Sequence, residues 1–343
     1  MAVNMKDIAK ALNVSVVTVS KVLNNHSSIS EATRQRVLGY AKLHGYRTNL
    51  AAKGLVTGRS MMVGFIVPDL VHGFFSEIAA SMSEVLRQHG YGLLISSSRE
   101  DVDLERREIQ QMLSRSVDAL VVATCEVEAD ELAAAASEAP LILIDRRVAE
   151  SRESGYVGTD DLLAGELATQ HLVDIGRRRI AHIGGPDFSP SKDRERAYRS
   201  VLARAGIEVP DGYVVKRHQS EETGHVTGAQ SMRLLLEQSP LPDAVFCYND
   251  PTAIGAMSAV LEAGLRIPED IAIVGCGNIR HAAFLQVPLT SIDQDAPLLG
   301  QETARLLLDM TRLREGDSTG TRSVVIKPTL AIRRSTCCQD NRQ

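Results

Sequence analysis

The 343 residues contain no CxxC pair and no cysteine–histidine cluster of metal-ligand spacing, which argues against a zinc module or an iron–sulfur site. The five cysteines are scattered. Cys125, Cys247 and Cys276 sit in apolar, strand-like runs and read as small core residues, while Cys337 and Cys338 lie in a polar tail and read as reduced surface thiols. No apolar run reaches the length of a membrane span, and the first residues, Met1 to Asp7, lack the apolar core of a signal peptide. A cytoplasmic protein is the expectation. Walker A, GxSxG, HExxH and complete GxGxxG patterns are also missing, so the common nucleotide, hydrolase and metalloprotease chemistries have no footing. No cofactor or metal is implied. What remains is ample apolar content, 44%, enough for two or three domains with cores of their own.

The modest net charge of −5 is the sum of two unlike parts. Residues 1–59 hold nine bases and two acids, a net of +7, and the remaining chain holds 29 bases and 41 acids, a net of −12. A basic head on an acidic body suggests that the head meets a polyanion and the body something else.

Within the head, Ile8, Ala9 and Leu12 share one helical stripe. Asn13 suits the left-handed residue of a tight turn, and Ser15 offers an N-cap to a second helix whose buried side is Val19, Val22 and Leu23. Ser30 caps a third helix that runs to His44 and stops at Gly45. Two short helices joined by a brief turn, with a supporting third, have helix-turn-helix geometry. A plain three-helix bundle is the alternative. Against it stands the outer face of the second helix. Ser15, Thr18, Ser20 and Asn24 suit phosphate oxygens, Lys21 reaches toward a guanine edge, and Val16 and Val17 suit thymine methyls.

The run Val14-Ser15-Val16-Val17-Thr18-Val19-Ser20-Lys21-Val22-Leu23-Asn24, with Lys6-Asp7-Ile8-Ala9 before it and Ser30, Thr33-Arg34, Val37 and Gly45-Tyr46 after it, resembles the headpiece of LacI/GalR transcriptional regulators. That resemblance implies base-reading roles for Val16, Val17 and Lys21, and backbone contacts for Ser15, Thr18, Ser20, Asn24, Ser30 and Thr33. Residues 49–60 then correspond to a hinge helix that orders when two copies pair on DNA. Leu55 sits at the position of a minor-groove wedge, and Asn49 and Ala52 at further contact positions. The ten residues 49–58, with Gly54 inside, cannot hold a helix alone in water, so a plain linker is the local alternative. Thr48 stands where the family usually has proline, which loosens the entry to the hinge.

From Met62 onward, apolar strand-like runs alternate with amphipathic helical stretches, several stopping at glycine (Gly90, Gly176, Gly206, Gly264). Two successive sets, before and after about Asp160, predict two doubly wound parallel sheets. With the resemblance, the fold expected is a small all-α helix-turn-helix headpiece (1–48), the hinge (49–60), and a two-lobed α/β core of the type-I periplasmic-binding-protein kind (61–335), followed by a tail (336–343). The N-lobe takes about 61–160 plus 293–325, and the C-lobe about 161–292 plus 326–335.

Ligands of open α/β sheets sit at the carboxyl ends of strands, which selects the loops at 68–75, 145–146, 184–194, 248–250, 275–278 and 293–294. The resemblance places effector contacts on the same loops, at Phe74, Phe75, Asp145, Arg194, Asn249 and Gln294. Each also has a plain reading. Phe74 and Phe75 open a helix and fit a core, Asp145 fits a helix cap, and Arg194 can pair with Glu195 or another acid. Asp160 and Asp250 read as N-caps and His72 as an exposed loop residue. Gly277 falls where family members often carry a sugar-gripping aspartate, which leaves open a larger or an anionic ligand.

The function expected is a ligand-responsive transcriptional regulator, a repressor, reading a pseudo-palindromic operator as a homodimer and controlled by a sugar or sugar derivative. An enzyme is the rival for which no nucleophile–base pair is visible, and a transporter's solute-binding protein is the rival that would lack the basic head. The tail has no leucine heptads, so a dimer rather than a coiled-coil tetramer is expected. A head of +7 predicts that DNA affinity falls by at least about a hundredfold between 50 and 200 mM salt. Fluorescence anisotropy across a salt series measures this, and a flat dependence would remove the polyanion from the reading.

Overall fold

The computed structural model describes residues 3–46, 54, 58–125, 130–148, 154–216, 224–312 and 322–337. The chain folds as two compact units, Met1–Ser60 and Met61–Gln343.

The first unit contains α1 (Met5–Leu12), α2 (Val16–Leu23) and α3 (Glu31–Leu43). Asn4 caps α1 in a reciprocal box with Asp7, and Asn13 ends it in the left-handed conformation at φ 52°. Ile8, Val19, Val22 and Val37 close a small core with Ala9 and Ala41. Arg34 fastens the loop between α2 and α3 by donating to the Asn25 side chain (2.5 Å) and the His26 carbonyl (2.8 Å).

The second unit holds two six-stranded sheets. The first has the order β11 (Ser323–Ile326), β5 (Gly155–Thr159), β4 (Leu141–Ile144), β3 (Ala119–Val122), β1 (Met62–Val67), β2 (Gly92–Ser97), and every pairing is parallel. The second has the order β12 (Thr329–Ala331), β10 (Thr290–Asp293), β9 (Ala272–Cys276), β8 (Ala244–Cys247), β6 (Ile180–Ile183), β7 (Val214–Val215), with only β12 antiparallel. The intervening helices are α4 (Gly73–Gln88), α5 (Val102–Ser114), α6 (Asp130–Glu138), α7 (Asp161–Asp174), α8 (Ser189–Arg204), α9 (Gly224–Leu236), α10 (Asp250–Glu262) and α11 (Ala296–Arg312). Central strands such as β3 and β4 are buried throughout, as strands covered by helices on both faces must be. The four glycines that stop helices all take positive φ, from 66° to 87°.

The fold departs from the sequence reading at one strand. Strand β5 is one that hydrophobic patterning does not reveal, because Gly-Tyr-Val-Gly-Thr has only two apolar side chains. Its glycines are packing requirements: a Cβ on Gly155 would press on Ile142 and Leu306 at 3.2 Å, and one on Gly158 would collide with the Tyr156 ring. Asp293 ends β10 in the second sheet and Ile326 ends β11 in the first. Both ends lie within a residue of the approximate lobe bounds read from the sequence.

Helices α7 and α8 meet through Gly165, where a Cβ would stand 2.6 Å from the Arg194 carbonyl oxygen and 2.9 Å from its Cα. Gly165→Ala should therefore push α8 outward and cost about 1–3 kcal/mol in the body, read by urea unfolding. Gly39 on α3 has open space around it, so Gly39→Ala should instead stabilise the head by roughly 0.5–1 kcal/mol.

Candidate functional site

The exposed face of the head is built on α2. The Ser15 hydroxyl caps this helix, accepting from the Thr18 amide at 3.0 Å and lying 2.9 Å from the Thr18 hydroxyl. Val16 and Val17 follow at 39% and 62% exposure, and Lys21 is exposed one turn beyond Val17 on the same face. Asn24 folds back, donating to the Ser20 carbonyl at 3.0 Å and approaching the Ser20 hydroxyl at 3.5 Å. Ser30 and Thr33 repeat the capping arrangement at α3, with their hydroxyls 2.9 Å apart. Sequence-selected residues thus lie in three local pairs, two of them at helix N-termini, where backbone N–H groups and the helix dipole favour anions. Asn49, Ala52 and Leu55 lie outside the described residues.

In the body, the ends of both sheets open on one cleft with a cavity of about 580 Å³, within the range of roughly 300–1,000 Å³ usual for small-molecule sites. Phe74, Phe75, Asp145, Arg194, Asn249 and Gln294 all line it. The two phenylalanines are 4% and 6% exposed and stack edge to face at 5.2 Å between centroids, so they serve core and cleft wall together. Asp145 is buried and held at φ 65°, a backbone conformation that aspartate tolerates better than most residues, and among the described residues that follow it, 146–148, none is helical. Burial pushes its carboxyl above the usual range, while the charges of Arg194 and Arg146 and a bond from Gln294 oppose the shift.

Arg194 pairs with Asp161, not Glu195. Its Nε and Nη2 reach the same Asp161 oxygen at 2.9 and 2.7 Å, and Nη1 donates to the Tyr248 carbonyl at 2.8 Å. Both side chains are almost fully buried. Burial pushes the Asp161 carboxyl up to about 6, against the pull of Arg194. The helix cap expected at Asp250 belongs to Asn249, whose Oδ1 accepts from the Thr252 amide at 3.0 Å. Asp250 is buried beneath, accepting from the Ser291 hydroxyl at 2.5 Å and the Ile279 amide at 2.8 Å, and burial raises it to about 6. His72 is no free loop residue. It caps α4, accepts from the Phe74 amide at 3.3 Å, and meets the Asn249 amide nitrogen at 3.3 Å across the cleft.

The loops selected from the sequence also contain Arg146, Tyr248 and Cys276, which line the cleft without having been given a ligand-binding role, whereas Asp161, which anchors it, was not selected. Arg146 and Tyr248 were legible by position, each next to a selected residue at a strand end. Asp161 was hidden because the strand before it was unread. Cys276 is core and wall at once: its sulfur is 3.6 Å from Gln294 Oε1, and burial pushes the thiol up to about 12. Among the described residues no group of three or more potential ligands is placed to hold a metal ion.

A helix-turn-helix head joined to a two-lobed body with a polar cleft defines the class of a ligand-binding regulator. Residues 4–49 match the family described as bacterial regulatory proteins, lacI family, and residues 169–336 match the periplasmic binding protein-like domain. The chain is 32% identical to the HTH-type transcriptional repressor CytR of Escherichia coli (strain K12) over 98% of this chain and 96% of that protein. It is 32% identical to the ribose operon repressor of the same organism over 89% of this chain and 92% of that one. The lac repressor dimer bound to operator and the anti-inducer ONPF superposes with a TM-score of 0.84 at 26% identity, covering 98% of this chain and all of that one. The chain belongs to the lacI family of bacterial regulatory proteins.

Removing Arg194 strands the Asp161 and Asp145 carboxylates in a buried site. Arg194→Ala should cost about 3–5 kcal/mol in chemical unfolding of the body, and Arg194→Ala/Asp161→Asn should recover a measurable part of it. Additive losses would show that the pair is not coupled.

Proposed function

We propose that this chain is a DNA-binding transcriptional repressor whose operator affinity is set by a small hydroxylated molecule held in the cleft. The observation that carries the reading is the exposed start of α2, where Val16 and Val17 face solvent beside Lys21 on the basic unit. Apolar side chains there gain a partner only when thymine methyls or similar groups are brought to them. Ser15, Thr18, Ser20, Asn24, Ser30 and Thr33 act on the phosphates, which fix register without reading sequence. Two heads of a homodimer read a pseudo-palindrome, and the hinge residues Asn49, Ala52 and Leu55 enter the minor groove between the half-sites.

In the cleft, Phe74 and Phe75 offer an apolar wall, while Asp145, Arg194, Asn249 and Gln294 supply hydrogen bonds to hydroxyl groups. The relatives support this chemistry: one is named for a ribose operon, and a solved structure at 28% identity with a TM-score of 0.71 is a CelR–cellobiose complex. A ligand that binds one degree of lobe closure better than another shifts that equilibrium, with couplings of about 1–3 kcal/mol in operator affinity. No reacting groups are assigned, and the protein is read as a non-enzyme acting in the cytoplasm, in keeping with the absence of a described helix long and apolar enough to cross a membrane.

Selection of binding sites from random DNA with the full chain tests the reading. Enriched sequences should be inverted repeats, and Lys21→Ala should weaken them by about 1–3 kcal/mol with relaxed preference at one position in each half-site. Failure to enrich any sequence would refute the assignment.

A further inference from the structure

The charges around the cleft are unevenly committed. Four arginines line it. Arg194 is held by Asp161 and the Tyr248 carbonyl, as above. Arg146, only 4% exposed, donates to the Thr124 carbonyl at 3.3 Å and to Glu100 at 3.0 Å, with its guanidinium 4.0 Å over the Phe188 ring. Its Nε is buried and has no hydrogen-bond partner among the described residues. A buried guanidinium N–H left without an acceptor is costly, so a group that supplies one is favoured there.

Arg99 and Arg107 complete the set. Both are exposed to the cleft, and among the described residues neither side chain has a hydrogen bond or an ion pair. Arg99 stands in the left-handed conformation, φ 53°, at the turn before α5, and Arg107 lies one turn beyond Leu104 on the side of α5 that lines the cleft. The acids of the same rim are occupied. Glu100 faces Arg146, Asp101 caps α5 through the Leu104 amide at 2.7 Å, and Asp69 accepts from the Val71 amide at 2.8 Å. On the opposite lobe, Gly277 provides no carboxylate after β9. The buried Asp250 beneath it is bonded to Ser291 and Ile279. Asp145, on the same wall, lies beside the charges of Arg194 and Arg146 and takes a bond from Gln294, so among the described residues the charged side chains of this wall without a hydrogen bond or ion pair are Arg99 and Arg107.

We infer that the effector is a hydroxylated molecule bearing an anionic group, a carboxylate or a phosphate, received by Arg99 and Arg107, which line the same cleft as Arg146. Charge-assisted bonds from guanidinium groups suit either anion. The inference rests on the reading of the cleft as the effector site.

The test compares neutral and charged partners on the full chain: ribose, ribonate and ribose 5-phosphate, then glucose, gluconate and glucose 6-phosphate. Calorimetry reads binding and fluorescence anisotropy reads operator affinity. Charged members should bind at least about tenfold more tightly than their neutral parents. Arg99→Ala/Arg107→Ala should erase that advantage and leave neutral-sugar binding unchanged. Preference for acids or for phosphates identifies the source of the anion. If none of the six binds, acetate and inorganic phosphate at matched ionic strength decide: stabilisation of the body's unfolding transition that the double variant loses supports the inference, and equal or no stabilisation overturns it. A neutral sugar that binds as well as its charged forms, or charged binding untouched by the double variant, also overturns it. Operator release by a neutral sugar would do so while leaving the regulator intact. Absence of sequence-specific DNA binding would instead remove the regulator reading itself.

Discussion

The guanidinium of Arg194 lies in the protein interior, bonded twice to one oxygen of Asp161 and once to the Tyr248 carbonyl, and the body of the protein is arranged around that contact. A buried charge is tolerable only when paired and hydrogen-bonded, so the pair constrains every element that supplies it. Asp161 begins α7, Arg194 sits in the first half of α8, and the two helices come close enough because Gly165 has no side chain between them. The same guanidinium opposes the upward shift of the Asp145 carboxyl, whose residue belongs to the other lobe. One cation thus serves the packing of the C-lobe and the electrostatics of the cleft.

The contacts that hold the lobes against each other are of a different kind. Arg147 bonds Asp193 at 2.7 Å with its own side chain 47% exposed, and Arg280 stands 3.8 Å from Glu77 at 87% exposure. Asn249 touches His72, and Gln294 donates to Thr159 at 3.2 Å. Exposed ion pairs contribute about 0–1 kcal/mol each. Alongside a buried apolar cluster that includes Phe74 and Phe75 of one lobe and Ile279 of the other, such exposed contacts can rearrange at a cost that ligand binding is able to offset. The buried part of the site is the Arg194 anchor and the two phenylalanines; the exposed part is the rim.

Much of this was legible in the sequence because the signals are local. Asn13 turns, Ser15 and Ser30 cap, and the apolar stripe of the head closes its core as helical spacing demands. Strand-end reasoning reached the cleft through Asp145, Arg194, Asn249 and Gln294, because ligand loops in open sheets follow from topology. It failed where a residue's role depends on a distant partner. His72 looks like a loop residue until α10 is brought opposite it, and Arg194 could choose among several acids until the burial of Asp161 selected one. Strand β5 was missed for a related reason, since its glycines are explained only by Ile142, Leu306 and Tyr156 packed against them.

The sequence by itself determined the division of charge between head and body, the helix-turn-helix unit with its exposed valines, and the alternation of strands and helices. These depend on composition and on short-range periodicity, which the chain carries without reference to its fold. Tertiary structure alone decided which carboxylate neutralises Arg194, that Asn249 rather than Asp250 caps α10, and that Arg99 and Arg107 face the cleft with no acid among the described residues to hold them. Pairing and desolvation are properties of positions in space. Residues separated by dozens of positions acquire them only when the sheets bring their loops together.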